Sequence, residues 1–271
     1  MPELPEVETT CRGIAPLLRG RRVLSVDVRE PRLRWPVPAA LARDLTGQTL
    51  GTVSRRAKFL LVESPAGHLI LHLGMSGSLR IVSHERVPEK HDHLDIVMDD
   101  GRCLRFRDPR RFGAALWTTD DPLEHPLLKK LGPEPLENSF NAEWLHRLAH
   151  RRRVAVKSYL MNSQVVAGVG NIYASEALFL AGIHPGRAAG RISLQRYRRL
   201  VNAVREVLQN AIAAGGTTLR DFVDSSGNPG YFSQRLRVYG RVNEACEQCG
   251  SPVRSRVIGQ RSTFYCSRCQ R

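Results

Sequence analysis

Two closely spaced cysteine pairs near the end of the chain restrict its fold more than any other feature of the sequence. Each pair has the pattern CxxC, and sixteen residues separate the pairs. Such spacing is typical of four thiolates around one zinc ion, because each CxxC turn brings two sulfurs to one point. With all four positions filled by protein, the ion is expected to be structural. The alternative is four unrelated reduced thiols. The predicted zinc ligands are Cys246, Cys249, Cys266 and Cys269.

The residues around the cysteines predict a zinc ribbon built on a β-hairpin. We expect residues 237–239 and 263–265 to supply its strands, since aromatic and β-branched side chains occur in both. From Ser251 onward the chain contains arginines and no acidic residue. Such a surface favours phosphate binding, and a merely solvated face is the alternative. The arginines are Arg254, Arg256, Arg261, Arg268 and Arg271.

The charge balance indicates a polyanionic partner. Among 271 residues, 41 are Lys or Arg and 26 are Asp or Glu, so the formal net charge is 41 − 26 = +15. An excess of this size favours nucleic acid, although it could serve only solubility. No run of 18 apolar residues occurs, and the acidic N-terminus lacks an apolar segment. We therefore expect no membrane span, no signal peptide and a cytoplasmic location with reduced cysteines.

Hydrophobic periodicity divides the chain into a β-rich part and a helical part. Short alternating segments with glycine turns, including a hairpin around residues 99–101, predict a β-sandwich. Two prolines and a glycine within residues 131–135 indicate an interdomain linker. Beyond it, Asn141 and Ser193 are predicted helix N-caps. An N-terminal helix is predicted from apolar residues at helical spacing, namely Val7, Cys11, Ile14 and Leu18.

A glycine-rich segment at residues 166–173 does not fit a dinucleotide-binding loop. Its third glycine position is Tyr173, and no strand–helix–strand unit surrounds it. We expect instead a turn that enters a helix, with backbone N–H groups and Asn171 directed at a phosphate. The preceding acid-free stretch contains basic residues, which favour contact with a DNA backbone. They are Arg147, Arg151, Arg152, Arg153 and Lys157. A tight packing turn between two helices is the alternative.

The N-terminal residues could supply a reactive amine. If Met1 is removed, Pro2 presents a secondary amine, and an α-amino group titrates near pH 8, so a neutral fraction exists at pH 7. A neutral amine can attack an electrophilic sugar carbon and form an iminium. Glu3 and Glu6 follow and could move protons during such a reaction. Many chains begin with Met-Pro without using it, so the residues alone leave this open.

The pattern as a whole resembles the formamidopyrimidine-DNA glycosylases. The resemblance begins with MPELPEVET at residues 1–9 and runs along the entire chain. Further matching segments are RAKFL at 56–60, HLGMSG at 72–77, KHDH at 90–93, DPRRFG at 108–113, residues 168–176 and the cysteine ribbon with Arg261.

The resemblance implies an α+β fold with an N-terminal β-sandwich and a flanking N-terminal helix. It further implies a C-terminal helix–two-turns–helix domain with a β-hairpin zinc ribbon. The expected bounds are 1–130 for the catalytic sandwich domain, 131–138 for the linker, 139–233 for the helical DNA-binding domain and 234–271 for the ribbon. Residues 217–231 match a lesion-recognition loop.

The resemblance also implies an activity and its residues. The family excises oxidised purines, notably 8-oxoguanine and formamidopyrimidines, from duplex DNA and then cuts the strand by β,δ-elimination. The resemblance implies a monomer, and DNA binding implies association with the nucleoid. Pro2 matches the nucleophile, Glu3 its acid/base partner, and Glu6 a carboxylate of the lesion pocket. Lys58 and Arg261 complete the catalytic set. The matching DNA-binding residues are His72, Met75, His91, Arg110, Phe112, Lys157 and Asn171.

Two other functions remain open at this stage. The same scaffold could act on oxidised pyrimidines. A comparison of the release of 8-oxoguanine and of thymine glycol would distinguish the two substrate classes. A non-catalytic binder of damaged DNA or RNA would use the zinc ribbon and the basic surfaces without the amine. Pro2, Glu3 and Lys58 together argue against that second alternative.

Overall fold

An N-terminal helix packed on two antiparallel sheets forms the first of two units. The computed structural model describes residues 2–215 and 236–271. The described residues of the first unit are 2–129 with 214 and 215, and those of the second are 130–213 and 236–271. The expected domain bounds stay a prediction, and the proposed loop at 217–231 lies outside the described residues.

The first unit confirms the predicted β-sandwich. One sheet has the strand order β1-β6-β7-β5 and the other the order β2-β3-β4-β8. The helices are α1 (Leu4–Leu18) and α2 (Ala39–Leu45), and a short 3-10 helix spans Pro122–Glu124. The strands are β1 (Val23–Val28), β2 (Val53–Arg56), β3 (Phe59–Ser64), β4 (Gly67–His72), β5 (Ser78–Ser83), β6 (Asp92–Met98), β7 (Arg102–Arg107) and β8 (Ala114–Thr118).

Alternating apolar residues explain how this unit packs. The inward side chains of both sheets, such as Leu60, Leu71 and Ile96, form one core with the apolar face of α1. All four residues predicted for that face are buried. The hairpin between β6 and β7 turns at Gly101, whose φ of 79° suits glycine. The sandwich therefore holds α1, and with it the start of the chain, against a rigid support.

The second unit is helical and ends in a two-stranded hairpin, as predicted. Asn141 is an N-cap, since its side chain accepts the N–H of Trp144 at 2.8 Å. Among the described residues, none of the helices is long and apolar enough to cross a membrane. The elements are α3 (Ala142–Ala149), α4 (Val156–Leu160), α5 (Asn171–Leu180), a 3-10 helix at Ala189–Arg191, α6 (Leu194–Ala213), β9 (Arg254–Ile258) and β10 (Arg261–Tyr265).

The segment predicted as a linker packs against the second unit. The N–H of Gly132 donates to the carbonyl oxygen of Ser163 at 2.8 Å, and the carbonyl oxygen of Pro133 accepts from Ala167 at 2.9 Å. A Cβ atom at position 132 would lie 2.6 Å from the carbonyl oxygen of Gln164. Glycine is therefore needed here because of this close approach.

The strand predicted at residues 237–239 is wrong. These residues form a turn, and the partner of β10 is β9. The reason is that the N–H groups of residues 237–239 all donate to the buried carboxylate of Glu176, at 2.8–3.0 Å. Groups committed to a carboxylate cannot pair with another strand. One side chain of α5 thus anchors the chain that leads into the ribbon.

Replacing Glu176 with alanine tests this anchor. The variant leaves three backbone N–H groups without their acceptor, so we expect the free energy of unfolding to fall by about 2–4 kcal/mol. Urea-induced unfolding followed by circular dichroism measures the change. As a control, Glu143→Gln alters an exposed carboxylate paired with Arg198 and should change that value by less than about 0.5 kcal/mol. Equal stability of the two variants would contradict the role of Glu176.

Candidate active site and nucleic-acid interface

The proposed catalytic residues at the start of the chain lie where α1 begins. Glu3 is the N-cap residue, and its backbone N–H donates to the Glu6 carboxylate at 2.8 Å. Pro2 and Glu3 are buried, and Glu6 is 0 % exposed. A side chain that returns to the N-cap fixes the direction in which the chain enters the helix. The structure thus gives Glu6 a positioning role, while its contact with a lesion stays a prediction.

A partly buried ion pair connects α1 to the hairpin that carries Lys58. Arg55 of β2 donates to the Glu8 carboxylate at 2.8 Å and to the carbonyl oxygen of Ala57 at 2.8 Å. Burial alone would raise the pKa of Glu8, but the hydrogen bonds from Arg55 and Arg12 outweigh it and lower the pKa. Glu8 is therefore ionised at neutral pH, and one arginine fixes both the helix and the turn.

The turn itself adopts an unusual backbone conformation. Ala57 and Lys58 join β2 to β3 as a two-residue loop, with Arg56 opposite Phe59. Ala57 has a φ of 53°, a left-handed value that is costly for a residue with a side chain. The contact of Arg55 with the Ala57 carbonyl oxygen holds this conformation. Lys58 is thereby placed at a defined position beside α1.

His72 lies at the end of β4 as a neutral ring. Its Nδ1 accepts the N–H of Gly74 at 3.0 Å, and its ring centroid lies 4.8 Å from that of Phe59. Burial, and then the charges of Lys58 and Arg34, lower its pKa to about 4. With Nδ1 accepting, the proton of the neutral ring is on Nε2, which can donate to a phosphate oxygen.

One buried carboxylate organises the two loops that carry the proposed insertion residues. Asp108 is 0 % exposed, and its two oxygens accept from Ser76 Oγ at 2.9 Å, Arg110 N at 3.3 Å and Gly113 N at 2.7 Å. Its backbone carbonyl oxygen accepts from His93 Nε2 at 2.8 Å. Ser76 follows β4 and Gly113 follows β7, so this side chain joins loops that are distant in sequence.

The two loops touch each other as well. A Cβ atom at Gly74, whose φ is 63°, would lie 2.4 Å from the backbone nitrogen of Gly113. This approach brings Met75 near the loop with Arg110 and Phe112. Phe112 is 44 % exposed, and the Arg110 guanidinium lies 5.3 Å from the centre of its ring. Aromatic side chains are enriched in binding interfaces relative to the rest of a protein surface.

His91 belongs to the same neighbourhood through its backbone. Its carbonyl oxygen accepts the N–H of Asp108 at 3.0 Å. Its ring centroid lies 6.3 Å from that of His93, which in turn donates to Asp108. The structure therefore places His91 beside the loop with Arg110 and Phe112. All of these residues belong to the first unit.

The proposed DNA-binding residues of the second unit meet at one carbonyl group. The backbone oxygen of Ser262 accepts from Lys157 Nζ at 3.0 Å and from Asn171 Nδ2 at 3.1 Å. Lys157 is 0 % exposed and also donates to Thr263 Oγ1 at 2.7 Å. The geometry therefore gives Lys157 a positioning role, since its ammonium group holds the hairpin. Its contact with DNA stays a prediction.

Arg261 stands directly beside this contact, at the start of β10. The turn before it consists of Gly259 and Gln260, with φ values of 56° and 59°, as a two-residue hairpin requires. A Cβ atom at Gly259 would lie 2.6 Å from Ser158 Oγ of α4. The turn is thus packed closely on α4, and the exposed Arg261 side chain extends from a fixed backbone.

The four cysteines of the ribbon form a site that fits zinc. All four sulfurs lie within 4.8 Å of one another. Two of the separations are 3.9 Å, between Cys246 and Cys269, and 3.5 Å, between Cys249 and Cys266. A tetrahedron with Zn–S bonds of 2.3 Å has edges of about 3.8 Å. These thiolates leave no ligand position open, so bound zinc would cross-link the ribbon and could not activate water.

Comparison with known proteins agrees with both units. Family models match residues 1–115 as the formamidopyrimidine-DNA glycosylase N-terminal domain, 131–223 as its H2TH domain and 243–271 as a zinc finger found in FPG and IleRS. The formamidopyrimidine-DNA glycosylase of Thioalkalivibrio sulfidiphilus is 63% identical over 271 residues, with 100% of both chains covered.

The chain belongs to the formamidopyrimidine-DNA glycosylase family. The relative from Alkalilimnicola ehrlichii is 61% identical over 277 residues, again with 100% of both chains covered. The crystal structure of MutM (Fpg) from Thermus thermophilus is similar with a TM-score of 0.89 and 40% identity, covering 99% of this chain and 98% of that one. The Lactococcus lactis Fpg in complex with N7-benzyl-Fapy-dG DNA has a TM-score of 0.91 and 34% identity over 100% of both chains.

Sequence reasoning missed several residues that position the site. Asp108 lies inside a segment used for the resemblance, but nothing in the sequence shows which donors surround it. Arg55 and Glu8 are 47 residues apart, and the role of Ser262 comes from its backbone oxygen. The one signal available in the sequence is the acid that lies close to two arginines in DPRRFG. Such an acid, if it becomes buried in the fold, requires hydrogen-bond partners.

Replacing Asp108 with alanine should disorganise both loops. Three donors lose their acceptor, so we expect a loss of about 1–3 kcal/mol in the free energy of unfolding together with weaker binding of an 8-oxoguanine duplex. Phe112→Ala is the matched control, because this exposed ring should change stability by less than about 0.5 kcal/mol and still weaken that binding. An unchanged unfolding free energy in Asp108→Ala would show that the carboxylate does not hold the loops.

The lowered pKa of His72 predicts a pH dependence of stability. Between pH 6.5 and about 4 the unfolded chain binds a proton at His72 and the folded chain does not. Stability is therefore fully present above pH 6.5 and falls as the pH is lowered towards 4. From pH 7 to pH 5, the wild type should lose about 2 kcal/mol more than His72→Gln in urea unfolding. A ring-proton NMR titration of His72 with a midpoint near 6.5 would contradict the expectation.

Proposed function

We propose that the chain is a bifunctional DNA glycosylase and AP lyase. It would excise 8-oxoguanine and formamidopyrimidines from duplex DNA through a Schiff base on Pro2, and cut the strand by β,δ-elimination. Family membership supports the class of reaction. Relatives in solved structures are complexes with DNA that contains an abasic site or Fapy-dG. The observation that carries the proposal is the link from α1, which presents Pro2 and Glu3, through Glu8 and Arg55 to the turn with Lys58.

Pro2 supplies the nucleophile once Met1 has been removed. Its nitrogen lone pair attacks C1′ of the damaged nucleotide, and the bond from C1′ to the base breaks. The base leaves with the bonding electrons and takes up a proton. The nitrogen loses its proton, and opening of the sugar ring yields a cationic iminium between Pro2 and C1′. A secondary amine suits this step because its iminium carries a positive charge without further protonation.

Glu3 supplies the proton transfer at the sugar. Opening the ring places negative charge on O4′, which needs a proton, and a carboxyl group at the next residue can deliver it. The Glu6 bond to the Glu3 N–H keeps this residue at the helix start. Loss of a C2′ proton then breaks the C3′–O bond, and a second elimination breaks the C5′–O bond. The product is a one-nucleotide gap with phosphates at both ends.

The reaction requires that the nucleotide leaves the base stack. Met75 and Phe112 would fill the space that it leaves, and Arg110 would hydrogen-bond the unpaired opposite base. The exposure of Phe112 and the common anchor at Asp108 support this assignment. Lys58, His72 and His91 would contact the surrounding phosphates.

The second unit would hold the DNA backbone. Asn171 begins α5, and the positive end of the helix dipole there favours a phosphate. Arg261 extends from the hairpin beside it. Zinc, held by the four cysteines, would keep this hairpin folded. The buried Lys157 stabilises the same surface by donating to the carbonyl oxygen of Ser262 and to Thr263 Oγ1. These contacts add electrostatic attraction that is independent of DNA sequence.

Trapping with sodium borohydride tests the nucleophile. Reduction of the iminium converts it into a stable amine, so protein without Met1 should form a covalent adduct with a duplex that contains one 8-oxoguanine. Peptide mass spectrometry should locate the adduct on Pro2. A form that retains Met1 should give no adduct, while its binding to an abasic-site analogue duplex shows that it is folded. Cleavage without any trapped species would refute the proposed nucleophile.

A Glu3→Gln variant separates proton transfer from binding. We expect the rate of base release to fall by about 10²–10⁴, with little change in affinity for the abasic-site analogue. A parallel assay with a thymine glycol duplex tests the substrate class. Faster release of thymine glycol than of 8-oxoguanine would assign the enzyme to oxidised pyrimidines.

A further inference from the structure

Four arginines of the second unit surround a concave surface that the proposed active site does not use. The concavity has a volume of about 580 Å³. Among the described residues, Ala188 and Gly190 line it besides the arginines, and neither Asn171 nor Arg261 takes part. We call this surface the arginine pocket, and its charged residues are Arg151, Arg152, Arg153 and Arg191.

No carboxylate of the described residues neutralises the charges of the arginine pocket. All four arginines are exposed, and across residues 2–215 and 236–271 none of them has a carboxylate within 4.0 Å. The sequence explains this, because residues 144–175 and 177–205 contain no acidic residue. Two exposed arginines elsewhere differ in this respect. Arg43 is paired with Asp44, and Arg198 with Glu143.

The backbone beneath the arginine pocket is held by hydrogen bonds between two chain segments. Gly190 N donates to the carbonyl oxygen of Arg152, and Ala189 N to that of Val154, both at 2.9 Å. A Cβ atom at position 190 would lie 2.9 Å from the carbonyl oxygens of Ala149 and Arg152. Glycine therefore permits the approach that brings Arg191 to the three consecutive arginines. Without this approach, Arg191 would not join the cluster.

Bringing four like charges together on one surface costs energy in the free protein, and an anionic ligand reduces that cost. Guanidinium groups bind phosphate oxygens through two parallel hydrogen bonds. Four of them around a concavity of this size suit a row of phosphates rather than a single small anion. A duplex backbone offers such a row, with one negative charge for about every 1.7 Å along the axis.

We propose that the arginine pocket binds the phosphodiester backbone of duplex DNA, independently of sequence and of damage. This proposal rests on the proposed function in one respect, namely that the ligand is duplex DNA. The pocket would add affinity for undamaged DNA, on which a repair enzyme spends its search. It would have no part in the reaction at the lesion, because its residues are distinct from those assigned to that reaction.

The test is the salt dependence of binding to an undamaged 30-bp duplex. The variant is Arg152→Gln with Arg153→Gln, and the control is Arg43→Gln with Arg198→Gln, which removes the same charge from two paired arginines. Each lost phosphate contact lowers the slope of log K against log salt by about 0.9. We therefore expect a decrease of about 1.8 and at least tenfold weaker binding at 50 mM salt for the variant, with little change for the control.

Two results would overturn the proposal. If both double variants bind the duplex equally more weakly than the wild type, the effect is due to net charge. If the Arg152/Arg153 variant loses binding to single-stranded RNA but not to duplex DNA, the ligand of the pocket is RNA. Thermal unfolding midpoints of both variants should match the wild type, since exposed side chains are changed. The rate of cutting a short, saturating 8-oxoguanine duplex should be unchanged. An inactive wild type would refute the proposed function and leave the binding test decisive for the pocket.

Discussion

The ion pair between Glu8 and Arg55 is the contact on which the arrangement of the proposed catalytic residues depends. Arg55 binds a carboxylate of α1 and the carbonyl oxygen of Ala57, so it fixes a helix and a turn at once. A partly buried carboxylate is stable only while such partners neutralise it. The lowered pKa of Glu8 shows that the hydrogen bonds outweigh the penalty of burial. The helix that begins after the proposed nucleophile Pro2 is thereby tied to the turn that carries Lys58.

The same principle recurs in both units, because single polar acceptors hold several segments. Asp108 joins the two loops with Met75 and Phe112, and the Ser262 carbonyl oxygen joins α4 and α5 to the hairpin. Each acceptor binds more than one donor, so the loss of one group affects all segments that it holds.

Local patterns predicted much of the fold, whereas long-range contacts could not be read from the sequence. The period of Val7 to Leu18 gave α1, and the CxxC spacing gave the zinc site, because each signal lies within a short stretch. Residues 237–239 were wrongly predicted as a strand since nothing local shows that Glu176 takes their N–H groups. Lys157 was predicted to bind DNA from its charge, and only its burial shows that it holds the hairpin. Arg191 lies 38 residues after Arg153 in the sequence and joins the arginine pocket because the two chain segments approach each other in the fold.

The contact between Arg110 and Phe112 has a consequence for discrimination. In the free protein, the guanidinium lies over the ring at 5.3 Å and covers part of an apolar surface that water would otherwise meet. The proposed insertion of this ring into a base stack would separate the two groups, at a cost of about 0.5–1 kcal/mol. A lesion site would return this by offering a stack to the ring and an acceptor to the guanidinium. Intact DNA would offer neither without further unpairing, so the resting pair would set a small energetic threshold against entry into undamaged duplex.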